Sequence, residues 1–196
     1  SIVRGGHIFL TLRTSDEPVL SFGDKIDIMM PLNQDTMNRH LGLMKAGSTV
    51  LYNGDKIKPG EAADGVQLCP FSVKELAPNI RGDLVQNTIA LAAVLRLIGV
   101  EFKILEDILA LQFKRKGEAV VAENVGVARA GYDYAGSHFK ASQVALPDTG
   151  KKLAFFEGNQ ALAMGGAAAG VRFYCAYPMS PSSGVLHWMA RHARQL

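Results

Sequence analysis

The first half of the chain alternates short apolar runs with segments whose apolar residues recur at helical spacing. Lys25-Ile26-Asp27-Ile28-Met29-Met30, closed by Pro31, reads as one strand, Ser48-Thr49-Val50-Leu51-Tyr52-Asn53 as a second, and Val66-Gln67-Leu68-Cys69 as a third. Between the first two, Asn33 stands at an N-cap position, Asp35 falls in the first turn, and Leu41, Leu43 and Met44 supply the later apolar positions of a helix that Gly47 stops. Strand, capped helix, glycine, strand is a βαβ crossover, the connection a parallel sheet requires. Upstream, the β-rich run from His7 to Thr14 and the run Val19-Leu20-Ser21, joined across Asp16-Glu17-Pro18, predict an antiparallel hairpin.

Helical periodicity then takes over. Ser72-Val73-Lys74-Glu75 has the form of a capping box opening a short helix that Pro78 interrupts. Three more helical segments are predicted, from Asn87 to Leu97, from Leu105 to Lys114 and from Ala119 to about Tyr134. The pattern is that of an α/β sheet layer followed by helices packed on it. It fades from Gly136 to Lys152, where Ser137, Ser142, Pro147, Asp148, Thr149 and Gly150 give linker composition. We place a first domain at 1–141, a linker at 142–152 and the opening of a second domain at 153–196. The last piece is too short to bury a core alone, since domains below about 40 residues usually need a staple or partner.

That last piece is the most patterned of all. Gly158 to Gly170 is rich in Gly and Ala, suited to a helix packed closely on a sheet, and Val171 to Tyr177 reads as a short buried strand. Tyr177-Pro178-Met179-Ser180-Pro181-Ser182-Ser183 then brackets one hydroxyl between two prolines, with Ser182 or Ser183 available to cap the helix from Val185 to Arg194. In open α/β sheets, ligands collect outside the carboxyl ends of strands. Physics alone leaves a bare capped turn and a ligand-facing loop both open here.

Composition narrows the classes. Of 196 residues, 48% are hydrophobic and 20% charged, as in an ordinary globular protein, and a net charge of +3 is too small to argue for nucleic acid. The basic run Lys114-Arg115-Lys116 reads as a solvated helix end. No apolar run approaches the roughly 20 residues that span a bilayer, and no secretory signal opens the chain. Cys69 and Cys175 are read as buried apolar fillers in a reducing compartment, so a cytoplasmic location is expected. His7, His40, His138, His187 and His192 are scattered, and with no C-x-x-C pair no metal or iron–sulfur site is expected. Solvent is the default reading for His40. Gly165, Gly166 and Gly170 do not make G-x-G-x-x-G, which argues against a dinucleotide fingerprint.

The stretch from Gly158 onward resembles the start of the thiamine-pyrophosphate pyrimidine domain of 2-oxoacid:ferredoxin oxidoreductases. That family writes G-N-x-A-x-A-x-G-A-x-x-A-G and then Y-P-I-T-P-S-S. Here these positions read Gly158-Asn159-Gln160-Ala161-Leu162-Ala163-Met164-Gly165-Gly166-Ala167-Ala168-Ala169-Gly170 and Tyr177-Pro178-Met179-Ser180-Pro181-Ser182-Ser183. Residues 1 to about 140 are similar to the γ domain of the same enzymes, through Arg4-Gly5-Gly6, Arg13-Thr14-Ser15-Asp16 and Asp27-Ile28-Met29-Met30. γ before α in one polypeptide is the arrangement of the 2-oxoglutarate type.

The resemblance implies a Rossmann-like γ domain lacking its first βα unit, joined to the beginning of a pyrimidine-binding α/β domain. It implies oxidative decarboxylation of a 2-oxoacid, expected to be 2-oxoglutarate, to an acyl-coenzyme A, with electrons passed to ferredoxin or flavodoxin. Indolepyruvate or a branched-chain 2-oxoacid is the alternative substrate, and a non-catalytic docking module of such a complex the alternative role. Thiamine pyrophosphate would be shared with a β subunit, Mg and iron–sulfur clusters would lie on other subunits, and coenzyme A would be co-substrate near the γ domain. The implied cofactor contacts are Tyr177, Pro178, Met179, Ser180, Pro181, Ser182 and Ser183, with Ser180 also meeting the substrate carboxylate. Ser180 stands where the family has threonine and keeps its hydroxyl while losing a methyl, worth roughly 0.8 kcal/mol if buried. The glutamate that activates the aminopyrimidine in that family is expected beyond Leu196, so this stretch alone is not expected to be catalytic.

Overall fold

The computed structural model describes residues 6–15, 17–80, 84–144, 146, 150 and 154–195, in two compact units that divide after Pro147. Arg4, Gly5 and Asp16, which carry part of the γ resemblance, and most of the expected linker lie outside the described residues.

The first unit is built on a parallel sheet of three strands in the order β1 (Ile26–Met29), β2 (Met44–Asn53), β3 (Gln67–Phe71). Helix α1 (Gln34–His40) makes the crossover from β1 to β2, and Asn33 caps it as expected, its Oδ1 accepting from the Thr36 N–H at 2.8 Å. The helix is shorter than its apolar pattern predicts. Leu41–Leu43 form a single 3₁₀ turn around Gly42, and Met44 opens β2 instead of closing α1, paired with Ile26. Gly47 is therefore inside a strand and not at a helix end. The register slips there, with Ile26 opposite Met44 but Ile28 opposite Thr49. Gly47 sits at φ +84°, and a Cβ on it would run into the Gln143 carboxamide, so only glycine suits this bulge.

Alternation along β2 sends its side chains into two cores. Leu51, with Cys69 and Phe71 of β3, faces Ile89, Ala90, Ala93 and Leu97 of α3 (Leu84–Leu97) and Val127 and Ala135 of α5 (Glu118–His138). Val50 and Tyr52 face the other way, onto Met29, Met37, Leu41, Met44 and Ile57. Both faces are covered, which is the usual condition for a parallel sheet. A third cluster joins α3 and α5 to α4 (Phe102–Phe113), through Ala92, Phe102, Leu105, Leu109, Ala128 and Tyr132. There the Tyr132 hydroxyl donates to the Val100 carbonyl at 2.8 Å, and the Arg129 guanidinium lies 3.5 Å above the Phe102 ring. The short helix α2 (Val73–Leu76) is capped by Ser72 Oγ, which accepts from the Glu75 N–H at 3.2 Å. Lys114–Lys116 form an exposed turn at the end of α4, as expected of a solvated end.

The predicted N-terminal hairpin is absent among the described residues. Ile8, Phe9, Leu10, Leu12, Leu20 and Phe22 are exposed, and none of residues 6–15 or 17–25 is in a strand. A two-stranded ribbon with nothing packed on it is marginal in water, and β propensity alone does not form one. The segment is instead anchored by His7. Its Nδ1 lies 3.0 Å from Asp35 Oδ2, and its Nε2 shares a hydrogen bond with His40 Nε2 at 2.9 Å. His40 is thus half-buried against His7 and Phe9, which corrects its reading as a solvent residue.

The second unit contains α6 (Gly158–Ala168) and α7 (Ser183–His192), which pack on each other and bury Ala163 and Val185 respectively. The buried strand predicted between them is not formed. Residues 171–179 are irregular, and Val171, Phe173, Tyr174, Cys175 and Tyr177 are exposed. A strand needs a neighbour to take its backbone hydrogen bonds, and the described residues of this unit include no other strand. Cys175 is accordingly an exposed thiol and not a buried filler, whereas Cys69 is fully buried as expected.

Candidate functional site

The loop 177–183 is shaped by the helices on either side of it. α6 begins with a capping box, the Glu157 N–H donating to Gln160 Oε1 at 3.1 Å. It ends in a Schellman motif. Gly170, at φ +90°, donates to the Ala167 carbonyl at 3.0 Å and Val171 to that of Gly166 at 3.1 Å. Beyond this stop the chain runs exposed to Met179, and the Ser180–Pro181 peptide is cis.

The Met179 carbonyl is the hub of the turn that follows. It accepts from the Ser183 N–H at 3.0 Å and from Ser182 Oγ at 2.9 Å. Neither serine therefore caps α7 with its side chain, and the expected cap is replaced by a hydroxyl that closes the turn behind it. From 22 residues upstream, Asn159 Nδ2 donates to the Pro181 carbonyl at 2.7 Å. Gly184 lies against the same side chain, and a Cβ on it would stand 2.8 Å from Asn159 Nδ2 and 2.9 Å from Asn159 Cβ.

Six of the seven residues expected to face a cofactor, Tyr177 to Ser182, are exposed, and Ser183 is half-buried at the start of α7. The Ser180 hydroxyl makes no hydrogen bond to another described residue. The loop thus offers an apolar surface from Tyr177 and Met179 beside an uncommitted hydroxyl. These side chains suit the apolar ring and methyl group of an aminopyrimidine, and a donor for a carboxylate. They include no base and no metal ligand, and among the described residues no group of three His, Cys, Asp or Glu side chains is placed to hold a metal ion.

In the first unit the polar side chains gather at the carboxyl ends of the strands. Asn53, ending β2, donates through Nδ2 to Gln86 Oε1 at 3.0 Å, and Gln86 Nε2 donates to the Leu32 carbonyl just after β1 at 3.0 Å. Asp55 accepts from Ser72 Oγ at 2.9 Å and from the Lys74 N–H at 3.1 Å, tying the turn after β2 to the start of α2. Burial alone would raise the Asp55 carboxyl. The hydrogen bonds from Lys74 and Ser72 and the Lys74 charge outweigh it and hold it below the usual carboxylate range. The Cys69 thiol is pushed up to about 11 by burial, against a hydrogen bond from Gln67. Along α4 and α5 runs an open groove of about 660 Å³ that mixes Lys103, Glu106, Lys114 and Glu118 with Leu111 and Val125. The one hydroxyl–carboxylate pair among these, Ser72 with Asp55, is taken up in capping α2, Ser72 Oγ also accepting from the Glu75 N–H.

The sequence marks Asn159 as part of a motif and Asn53 as the end of a strand without indicating the contacts either makes, and it gives no signal for Gln86 or Asp55. Asn159 follows the helix-opening Gly158, and that position is the one signal it offered.

Among the described residues, no helix is long and apolar enough to cross a membrane. The chain is 26% identical over 181 residues to 2-oxoacid:ferredoxin oxidoreductase 2, subunit alpha, of Aeropyrum pernix, a match covering 86% of this chain and 28% of that protein. It is 25% identical over 215 residues to 2-oxoglutarate oxidoreductase subunit KorA of Mycobacterium tuberculosis, covering 92% of this chain and 32% of that one. Among solved structures it is similar to 2-oxoglutarate:ferredoxin oxidoreductase from Magnetococcus marinus, determined with 2-oxoglutarate, coenzyme A and succinyl-CoA bound. The TM-score is 0.80 and the identity 27%, over 92% of this chain and 32% of that one. The chain thus spans about a third of the length of the relatives it matches. Residues 1–134 match the family described as pyruvate ferredoxin/flavodoxin oxidoreductase, and with over half its length in that match, the chain belongs to this family.

Proposed function

We propose that this chain supplies the γ domain, residues 1–141, and the opening of the pyrimidine-binding domain, residues 153–196, of a fused subunit of a 2-oxoacid:ferredoxin oxidoreductase. The observation that carries the reading is the loop 177–183. Its prolines, free hydroxyl and anchored turn support the reading, because they lie in the Tyr177–Ser183 stretch that resembles the family's cofactor-facing loop. The substrate is 2-oxoglutarate, a choice supported by the names of the Mycobacterium tuberculosis and Magnetococcus marinus relatives.

Bound thiamine pyrophosphate would supply the electron sink for decarboxylation. This chain's own residues would do the holding. Tyr177, Pro178, Met179 and Pro181 form an apolar shelf for the pyrimidine ring, which excludes water from it. Ser180 donates its hydroxyl to the carboxylate of the 2-oxoacid. Ser182 and Ser183 keep the loop in register through the Met179 carbonyl. A β subunit would hold Mg, iron–sulfur clusters on other polypeptides would supply the route for electrons to ferredoxin or flavodoxin, and coenzyme A, as co-substrate, would bind near the γ domain.

The test is a complex assembled from the complete subunit and its β partner. It should reduce ferredoxin in the presence of 2-oxoglutarate, thiamine pyrophosphate and coenzyme A, and Ser180→Ala should lower turnover at least about tenfold, as expected when a donor to a charged group is removed. Absence of ferredoxin reduction with 2-oxoglutarate, pyruvate, indolepyruvate and branched-chain 2-oxoacids alike would sink the reading. Residues 1–196 alone should bind no thiamine pyrophosphate by calorimetry.

A further inference from the structure

We propose that Asn159 is a positioning residue for the cofactor loop, acting through the Pro181 carbonyl and not by touching cofactor or substrate. The proposal rests on the reading of 177–183 as cofactor-facing. The loop has little else to fix it. Residues 171–179 belong to no strand, and the bonds to the Met179 carbonyl from Ser182 and Ser183 are local, fixing the turn to the start of α7 and to nothing further away. Among the described residues, Asn159 Nδ2 to the Pro181 carbonyl, at 2.7 Å, is the long-range hydrogen bond to the loop. It reaches from the first turn of α6, whose start is held by the Glu157–Gln160 capping interaction.

The acceptor is well chosen for control of Ser180. Pro181 follows Ser180 directly, and its ring fixes φ, so holding the Pro181 carbonyl limits the freedom of the peptide that carries the Ser180 hydroxyl. The packing is specific to a short amide. A Cβ on Gly184 would stand 2.8 Å from Asn159 Nδ2, so the side chain fills the space between α6 and the backbone of Gly184 with no room to spare. Asp at position 159 would keep the shape and put a carboxylate oxygen against the Pro181 carbonyl, replacing an attraction with a repulsion. Residue 159 thereby sets how often the loop is in its binding-competent form, and that fraction scales apparent affinity.

The experiment uses the assembled complex. Asn159→Asp should raise the KM for thiamine pyrophosphate about three- to tenfold, as expected from the loss of one hydrogen bond, with a smaller change in kcat at saturating cofactor. Gly184→Ala, which leaves the amide in place and crowds it from the other side, should move the same constant in the same direction. Leu162→Ala, on the exposed face of α6, should leave that constant unchanged. If Ser180→Ala lowers turnover while neither Asn159→Asp nor Gly184→Ala changes the KM for thiamine pyrophosphate, the positioning role is overturned and the loop reading stands. If Ser180→Ala is silent too, the loop reading itself has failed. A fall in melting temperature with unchanged KM in both variants would assign Asn159 to stability alone and also overturn the proposal.

Discussion

Gly131 on α5 lies so close to Ile89 on α3 that a Cβ there would stand 2.7 Å from the Ile89 carbonyl oxygen and 3.0 Å from its Cα. The obstructing atoms are backbone, which cannot swing aside. Gly131→Ala should therefore force the helices apart and cost roughly 1–3 kcal/mol, a drop of about 2–12 °C in thermal midpoint. Gly136 makes the internal control. Its added Cβ would meet the Arg96 guanidinium at 2.5 Å, the far end of a flexible side chain, so Gly136→Ala should stay within about 1 kcal/mol of the parent. Equal effects of the two substitutions, read by circular dichroism on heating, would contradict the close crossing.

Asn53 and Gln86 are both buried and satisfy each other. Gln86→Leu leaves the Asn53 amide without its acceptor and the Leu32 carbonyl without its donor. At about 1–3 kcal/mol for each orphaned group, the denaturant midpoint should fall clearly. Replacing both residues by Leu should recover part of the loss, because the Asn53 amide goes with its partner. Recovery is incomplete, since Asn53 Oδ1 also accepts from the Asp55 N–H at 3.0 Å. A double-mutant cycle measures the coupling.

The two thiols should separate sharply in labelling. Cys69 is fully buried and its thiol is pushed up to about 11, so at pH 8 it presents almost no thiolate. Cys175 is exposed. One equivalent of an aromatic disulfide reagent should react quickly with residues 1–196, and the second only after denaturant is added. Cys175→Ser should remove the fast phase and leave the slow one.

Asp55 carries a pH dependence whose sign follows from its lowered carboxyl. A carboxyl held lower in the folded state than in the unfolded chain contributes stability above the unfolded value, near 3.9. That contribution disappears as pH falls through the lower folded value. Acidification below about pH 4 should therefore loosen the tie to Ser72 and the start of α2. Asp55→Asn should flatten this part of the acid profile while lowering stability slightly at pH 7, as followed by thermal melts across pH.

What could be read in advance was whatever depends on neighbours a few residues apart. The Asn33 and Ser72 caps, the βαβ crossover and the three long helices are of this kind, because caps and helical faces are written at spacings of three and four. Contacts at a distance misled or stayed silent. Gly47 looks like a helix stop until Ile26 is seen to draw Met44 into β2. Val171 to Tyr177 has a strand's composition, but pairing depends on a neighbour that local composition does not encode. At the candidate site the loop itself was visible in its prolines and hydroxyls, whereas its fastening was not. Nothing in the local pattern indicates that Asn159 reaches the Pro181 carbonyl, 22 residues away.

The central position of β2 has a consequence for how the first unit opens. Both its edges are paired, and its residues from Ser48 to Asn53 are buried without a break between helices on one face and the methionine-rich cluster on the other. Local fluctuations can release the exposed residues 17–22, which join no strand, but they cannot free these amides one at a time. Deuterium exchange along β2 should thus proceed only through concerted opening of the sheet, which makes its slowest amide a direct gauge of the unit's total unfolding free energy.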